Sequence, residues 1–163
     1  MAEDNFTLTM FYKSWKEYQD HIKSAIAPLT AEQLALRPAP HLRSIGENAA
    51  HIIGCRAGWF THVLLEDDAD VKAIASWDEP GAPTRTAAEL AQGLDRTWEL
   101  MAACLARWNS ADMQQTFTDD WDGEEVHLSR AWIVWHVLEH DLHHGGELSI
   151  TLGMHGLKSD FPG

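Results

Sequence analysis

The sequence has few basic residues, few cysteines and few prolines. Its 163 residues include 12 Lys and Arg against 25 Asp and Glu, which gives a net charge of −13. Because nucleic-acid binding depends on Lys and Arg surfaces that neutralise phosphates, this balance argues against DNA or RNA as a direct partner. Only 6 prolines together with 45% hydrophobic residues favour a globular chain over a disordered one.

Long apolar segments are also missing. No apolar run approaches the roughly 18 residues that a membrane-spanning helix requires, and residues 1–5 lack the basic and apolar regions of a signal peptide. The two cysteines, Cys55 and Cys104, show no CxxC spacing, which is typical of reduced thiols packed inside helices. We therefore expect a soluble cytoplasmic protein that does not associate with membranes.

Four long segments show the 3.6-residue periodicity of amphipathic helices. They cover approximately residues 6–27, 44–64, 86–108 and 129–153. Ser44 and Thr86 each stand three residues before a glutamate, the pattern of a capping box at a helix start. The sequence therefore predicts an all-α fold, a four-helix bundle that forms a single domain over residues 1–163.

The segments between these helices carry weaker signals. Residues 117–128 alternate loosely around Asp122-Gly123, which predicts a small β-hairpin with a type I′ turn before the last helix. The other connections, extended at about 3.3 Å per residue, are long enough to cross the bundle. Consecutive helices therefore need not be antiparallel.

Histidines are concentrated in the last predicted helix. His136, His140 and His144 repeat every four residues, and residues at i and i+4 lie on the same helix face. Two imidazoles with this spacing can share one divalent ion. All three cannot, because His136 and His144 are about 12 Å apart along the helix axis. Either His136 with His140, or His140 with His144, can form the pair, and a third ligand must come from elsewhere.

His51 is the natural third ligand. It lies midway along the second predicted helix, on an otherwise apolar face, where a buried imidazole needs a polar partner. Three histidine ligands leave coordination positions open, as in catalytic rather than structural sites. A metal held in this way can lower the pKa of a bound water or thiol.

The neighbours of these histidines have simpler interpretations. Glu47, one turn before His51, either orients the His51 ring or serves only the capping box, and we favour the second role. Cys55, one turn after His51, is expected to pack in the core rather than to coordinate. Glu139 and Asp141 flank His140 on other faces of the helix, so we expect both in solvent.

Two segments resemble a known family. The stretch from His136 to Leu148, with His140, His143 and His144, is similar to the signature helix of the DinB-like (YfiT-like) metalloenzymes. Residues 34–38 and 44–52, which include His51, resemble their second-helix region. The motif order and spacing match over nearly the whole chain.

The resemblance implies an up-down-down-up four-helix bundle, often a homodimer, with a metal held by His51, His140 and His144. Nickel and zinc are typical ions of the family. Relatives include isomerases and S-transferases that use a low-molecular-weight thiol. Where the family commonly has Arg-Gly-Gln after the paired histidines, this chain has Gly145-Gly146-Glu147, a departure that bears on thiol binding more than on metal binding.

The sequence thus predicts a metal-dependent enzyme of the thiol-transferase or isomerase type that acts on a small-molecule substrate. We expect the substrate in a pocket lined by aromatic residues such as Trp15, Trp59 and Trp135. A non-catalytic metal- or ligand-binding protein of a stress response is one alternative. A metal-dependent hydrolase is another, but no general base for it is identified, and no catalytic side chain is assigned.

Overall fold

The computed structural model describes residues 6–159 and residue 161. These residues are mostly helical and include one two-stranded antiparallel sheet. The elements, in chain order, are α1 (Phe6–Ile26), α2 (Ala31–Leu34), α3 (Ile45–Gly58), α4 (Ala69–Ile74), α5 (Ala87–Arg107), β1 (Thr116–Trp121), β2 (Glu124–Ser129) and α6 (Arg130–Met154). The four long periodic segments of the sequence correspond to α1, α3, α5 and α6.

Side-chain caps begin the helices where the sequence predicts them. The Ser44 and Thr86 hydroxyls each accept a hydrogen bond from the backbone of a glutamate three residues on, and each glutamate reaches back to the cap backbone. Ser129 caps α6 through the backbone N–H of Trp132. These caps satisfy donors that a helix start would otherwise leave unpaired.

The second predicted helix differs from the sequence-based prediction at its end. Regular α-helical geometry stops at Gly58, and Trp59–Val63 continues as a π-helical turn. The acidic run 66–68 lies outside this helix, as expected, but it opens a helix that the periodicity did not reveal. The Asp68 carboxylate accepts a hydrogen bond from the Val71 backbone and caps α4. Six residues are too few for a periodic pattern to show.

The predicted hairpin is confirmed. Strands β1 and β2 pair antiparallel with Trp121 opposite Glu124, so two residues form the loop. Asp122 and Gly123 both have positive φ, 55° and 85°, as a type I′ turn requires. This hairpin leads directly into the start of α6.

The long helices pack against one another around two clusters of buried apolar side chains. Helix α3 contacts α5 and α6, and α1 contacts α5. Helix α1 also reaches α6, because Trp15 donates a hydrogen bond to Asp141 and Tyr18 donates one to the Leu142 carbonyl. Each long helix therefore touches two others. No helix in the described part of the chain combines the length and apolar character needed to cross a bilayer.

Candidate metal centre

Helix α3 presents His51 toward α6. Capping by Ser44 fixes where α3 begins, and His51 lies nearly two turns further on. Its side chain is 17% exposed. The ring therefore sits at the edge of the interior, where a ligand from solvent can reach it.

Helix α6 brings His140 and His144 to the same place. The His51 and His140 Nε2 atoms are 3.0 Å apart, and the ring centroid of His144 lies 4.6 Å from that of His51 and 4.3 Å from that of His140. One ring nitrogen from each of the three histidines lies within 4.8 Å of the other two. Such a cluster could hold a metal ion.

His136 lies outside this cluster. Its ring centroid is 6.3 Å from that of His140, and its ring stacks on Trp132 at 5.0 Å with the planes 10° apart. It also meets the edge of the Trp59 ring. Of the two overlapping pairs in the sequence, the one that faces His51 is therefore His140 with His144.

Carboxylates lie behind two of the three rings. His51 Nδ1 is 2.7 Å from an Asp78 carboxylate oxygen, and His144 Nδ1 is 2.7 Å from a Glu147 carboxylate oxygen. An imidazole that donates from Nδ1 to a carboxylate keeps a free lone pair on Nε2, the atom that would bind a metal. His140 Nδ1 is buried and has no hydrogen-bond partner among the described residues.

Asp78 is the residue that the sequence did not identify. It lies in the connection between α4 and α5, where no periodic register relates it to His51. Its position is fixed by close packing, because a Cβ on Gly54 would lie 2.6 Å from an Asp78 carboxylate oxygen. No sequence signal pointed to this contact.

Glu47 has the role that we favoured. Its carboxylate accepts the Ser44 backbone N–H and pairs with the Arg37 guanidinium at 2.5 and 2.6 Å. The hydrogen bond from Arg37 holds the pKa of Glu47 below its ordinary value, although burial acts the other way. The capping box, and not the His51 ring, is therefore what Glu47 serves.

The surroundings of His140 and His144 lower the pKa of both imidazoles. Burial, followed by the nearby charges of His144, His51, His136 and Arg43, lowers the pKa of His140 to about 3. Burial also lowers the pKa of His144, against the opposing hydrogen bond from Glu147. Burial alone would raise the pKa of Glu147, but the hydrogen bond with His144 brings it below its usual value. Neutral imidazoles beside an ionised carboxylate are the forms that bind a metal.

The prediction that Asp141 lies in solvent is wrong. It is fully buried together with Arg56 of α3, and the guanidinium contacts its carboxylate at 2.8 to 3.0 Å. Trp15 Nε1 donates to the same carboxylate at 2.6 Å, and Arg56 donates to the side-chain oxygen of Gln19. A buried carboxylate needs such a partner. Glu139, on a different face, lies half exposed as expected.

The glycine pair after the histidines contains one position that packing requires. A Cβ on Gly145 would lie 2.3 Å from the Tyr18 hydroxyl oxygen, whereas a Cβ on Gly146 would meet nothing within 4 Å. Gly145 thus lets α1 approach α6 beside the histidines. Glu147, where the family commonly has Gln, accepts hydrogen bonds from His144 and from the Asn48 side chain.

The tryptophans named for a substrate pocket occupy three different environments. Trp15 is only 2% exposed and lies in the core. Trp59 packs against His136, next to the cluster, and Trp135 is 56% exposed. Only Trp59 of these three therefore adjoins the histidine site. Its aromatic neighbour Trp132, which the sequence analysis did not single out, lies 6.0 Å away.

The remaining candidates lie outside the cluster. Cys55 is a free, half-buried thiol whose pKa is raised by burial, so it is held in the protonated form that does not coordinate. Cys104 is free and buried. A second grouping of His143, His144 and Glu147 shares His144 with the first, but its carboxylate is already engaged with that ring.

Comparisons with known proteins agree with this architecture. A DinB-like protein from Bacillus cereus superposes with a TM-score of 0.70 at 21% identity over 94% of this chain and 95% of that one. The DinB-like protein YjoA from Bacillus subtilis gives 0.67 at 16% identity over 94% and 96%. A conserved protein from Enterococcus faecalis gives 0.66 at 13% identity over 88% and 93%. These likenesses establish the shared fold.

The sequence itself identifies the family. No curated protein matches the chain at a significant level. The model of the DinB family, however, matches residues 1–160. The chain, with its helices and its three converging histidines, therefore belongs to the DinB family.

Proposed function

We propose that this chain is a divalent-metal-dependent enzyme of the thiol-dependent S-transferase or isomerase type, with the metal held by His51, His140 and His144. The observation that carries the proposal is the convergence of one nitrogen from each ring to within 4.8 Å. His51 comes from α3, 89 residues before His140 and 93 before His144 on α6. Their convergence is therefore a product of the fold rather than of local sequence.

The three side chains fit a metal ion. Two nitrogens that each lie about 2.0–2.1 Å from one ion are at most about 4.2 Å apart. The 3.0 Å between the His51 and His140 Nε2 atoms meets this limit, and a movement of under about 1 Å brings His144 within it. Imidazole ligands suit nickel and zinc, the ions we propose.

The bound ion would supply the chemistry of the site, and the surrounding residues would orient its ligands and the substrate. A divalent ion bound there would lower the pKa of a coordinated thiol or water and so supply a nucleophile near neutral pH. Asp78 and Glu147 hold the His51 and His144 rings in the required orientation. Trp59 and Trp132 form an apolar wall beside His136, against which a small-molecule substrate can pack.

The alternatives are a non-catalytic metal- or ligand-binding protein of a stress response and a metal-dependent hydrolase. A hydrolase needs a general base beside the metal. The carboxylates nearest to the rings, Asp78 and Glu147, already accept hydrogen bonds from His51 and His144. This engagement favours the thiol-dependent reaction over hydrolysis.

Metal binding is tested by elemental analysis of protein loaded with nickel or zinc and then dialysed. We expect about one equivalent in the wild type, a large loss in His144→Ala, and no loss in the matched control His62→Ala, whose side chain is exposed outside the cluster. Equal metal in wild type and His144→Ala would contradict the ligand assignment.

Activity is tested by incubating the loaded protein with low-molecular-weight thiols and a generic electrophile. Conjugation that requires the ion supports the proposal, and an unchanged rate after metal removal contradicts it. Metal-dependent thermal stabilisation without turnover would favour the binding protein. Ester cleavage without thiol would favour the hydrolase.

The remaining features belong to the same proposal. We infer that α1, α3, α5 and α6 form an up-down-down-up four-helix bundle in one domain, supported by the contacts of each helix with two others. We also propose a homodimer in the cytoplasm without nucleic-acid or membrane partners. Light scattering of the purified protein tests the dimer.

A further inference from the structure

A cavity of about 680 Å³ lies beside the histidine cluster. It is lined by α2, the connector between α2 and α3, the first turns of α3 and the connection between α4 and α5. The histidines themselves do not line it, but Asp78, which bonds His51, forms part of its wall. Asp78 therefore contacts both the cavity and one ring of the candidate metal centre.

Arginines are concentrated around this cavity. Arg37, Arg43 and Arg85 all line it, although the whole chain has only 12 basic residues and a net charge of −13. Three carboxylates, those of Glu47, Asp78 and Glu79, line it as well. Whether an arginine is available to a ligand therefore depends on how far it is already neutralised.

Arg37 is fully engaged. Its guanidinium contacts both Glu47 carboxylate oxygens, and it also donates to the Leu42 carbonyl. This pair fastens the connector after α2 to the first turn of α3. Arg37 is therefore structural and leaves no charge for a ligand.

Arg43 and Arg85 are not engaged in this way. Arg43 is exposed and has no ion-pair partner among the described residues. Arg85 stacks its guanidinium 4.6 Å from the Trp77 ring centroid, but its Nε is buried without a hydrogen-bond partner in the described part of the chain. Its ion pair with Glu89 is long, at 3.6 Å. Two guanidinium groups at this cavity therefore have unused donors.

The acidic residues of the lining limit the charge of the occupant. Glu47 is paired with Arg37, which leaves the carboxylates of Asp78 and Glu79 in the lining. Arg43 and Arg85 beside these two carboxylates favour a ligand with a single negative charge over one with two. A planar carboxylate matches the guanidinium fork and carries that charge, whereas a phosphate at neutral pH carries more.

We propose that this cavity binds a carboxylate-bearing small molecule, with its carboxylate against Arg43 and Arg85 and its apolar part beside Trp77. The binding itself stands on the cavity and its arginines. That the ligand is the substrate, with its far end at the metal centre across Asp78, rests on the proposed function.

The test compares benzoate, benzamide and phenyl phosphate by titration calorimetry with the purified protein. We expect benzoate to bind at least about tenfold more tightly than benzamide, because charge-assisted hydrogen bonds to guanidinium distinguish them. We expect phenyl phosphate to bind more weakly than benzoate. Tighter binding of phenyl phosphate, or equal binding of benzoate and benzamide, would overturn the proposal.

Variants locate the site. Arg85→Gln and Arg43→Gln should each weaken benzoate binding by about tenfold, and the matched control Arg96→Gln, which pairs with Asp68 and Glu99 at the surface, should leave it unchanged. If Arg85→Gln does not fold by circular dichroism, Arg43→Gln decides. Unchanged binding in a folded variant would refute the assignment.

A histidine variant separates the two proposals. His144→Ala should lose metal yet keep benzoate binding, since its ring does not line the cavity. Metal retention in the arginine variants, measured on the same samples, should equal that of the wild type. If the wild-type protein binds metal but not benzoate, only the cavity assignment is refuted. If it binds benzoate but not metal, only the metal centre is refuted.

Discussion

The buried ion pair between Arg56 and Asp141 offers the sharpest test of how the site is built. Arg56 lies on α3, five residues after His51, and Asp141 directly follows His140 on α6. Both side chains are 0% exposed. Replacing Arg56 with Met leaves a buried carboxylate with Trp15 Nε1 as its remaining donor among the described residues. The pair thus joins the two helices that carry the histidines.

The expected cost is large. Breaking a buried pair by removing one partner typically costs about 3–5 kcal/mol, a substantial part of the 5–15 kcal/mol by which domains are usually stable, to order of magnitude. For a chain of this length each kcal/mol shifts Tm by about 2–4 °C. We therefore expect Arg56→Met to lower Tm by roughly 6–20 °C.

Circular dichroism follows thermal unfolding, which gives Tm, and urea unfolding, which gives the free energy of unfolding. The double variant Arg56→Met with Asp141→Leu removes both charges, and its loss should be clearly smaller than the sum of the single losses. The control Arg96→Met breaks a pair whose arginine is 41% exposed, and it should cost about 1 kcal/mol or less. A loss below about 1 kcal/mol in Arg56→Met, or strict additivity in the double variant, would refute the reasoning.

Three further predictions concern single positions. Asp78→Asn should weaken nickel or zinc binding by about 10–100-fold in competition with a chelator, because the His51 ring loses its carboxylate. Gly145→Ala should lower the free energy of unfolding by about 1–3 kcal/mol in urea, because its Cβ would collide with Tyr18. Thr86→Ala should cost about 1 kcal/mol by the same measurement, because α5 loses its capping hydroxyl.

Each of these has a matched control. Glu79→Gln is the control for Asp78→Asn, because it removes the charge of the adjacent carboxylate, which contacts no histidine ring. It should leave metal affinity unchanged. A loss equal to that of Asp78→Asn would attribute the effect to net charge rather than to the contact with His51. Gly146→Ala should stabilise the protein by up to about 1 kcal/mol, because the position is open and alanine favours helix. Thr84→Ala, at an exposed position before the cap, should have no measurable effect.

The helices were predictable because their signals are local. Apolar residues every three to four positions mark α1, α3, α5 and α6, and the cap residues Ser44, Thr86 and Ser129 mark where three of them begin. The type I′ turn at Asp122-Gly123 is equally local. Helix α4 was not predicted because its six residues, fewer than two turns, are too few to show helical periodicity.

The spacing of the histidines was enough to predict that His140 and His144 share one face of a helix, where their rings can form one site. The spacing left two histidine pairs open and the family resemblance implied His140 with His144, the pair that the fold brings to His51. The contacts of Asp78 with His51 and of Asp141 with Arg56 became visible only in three dimensions. Helical periodicity gives the direction of a side chain about its own axis. How two helices are rotated and shifted against each other depends on packing among residues far apart in the chain, and no local pattern encodes it.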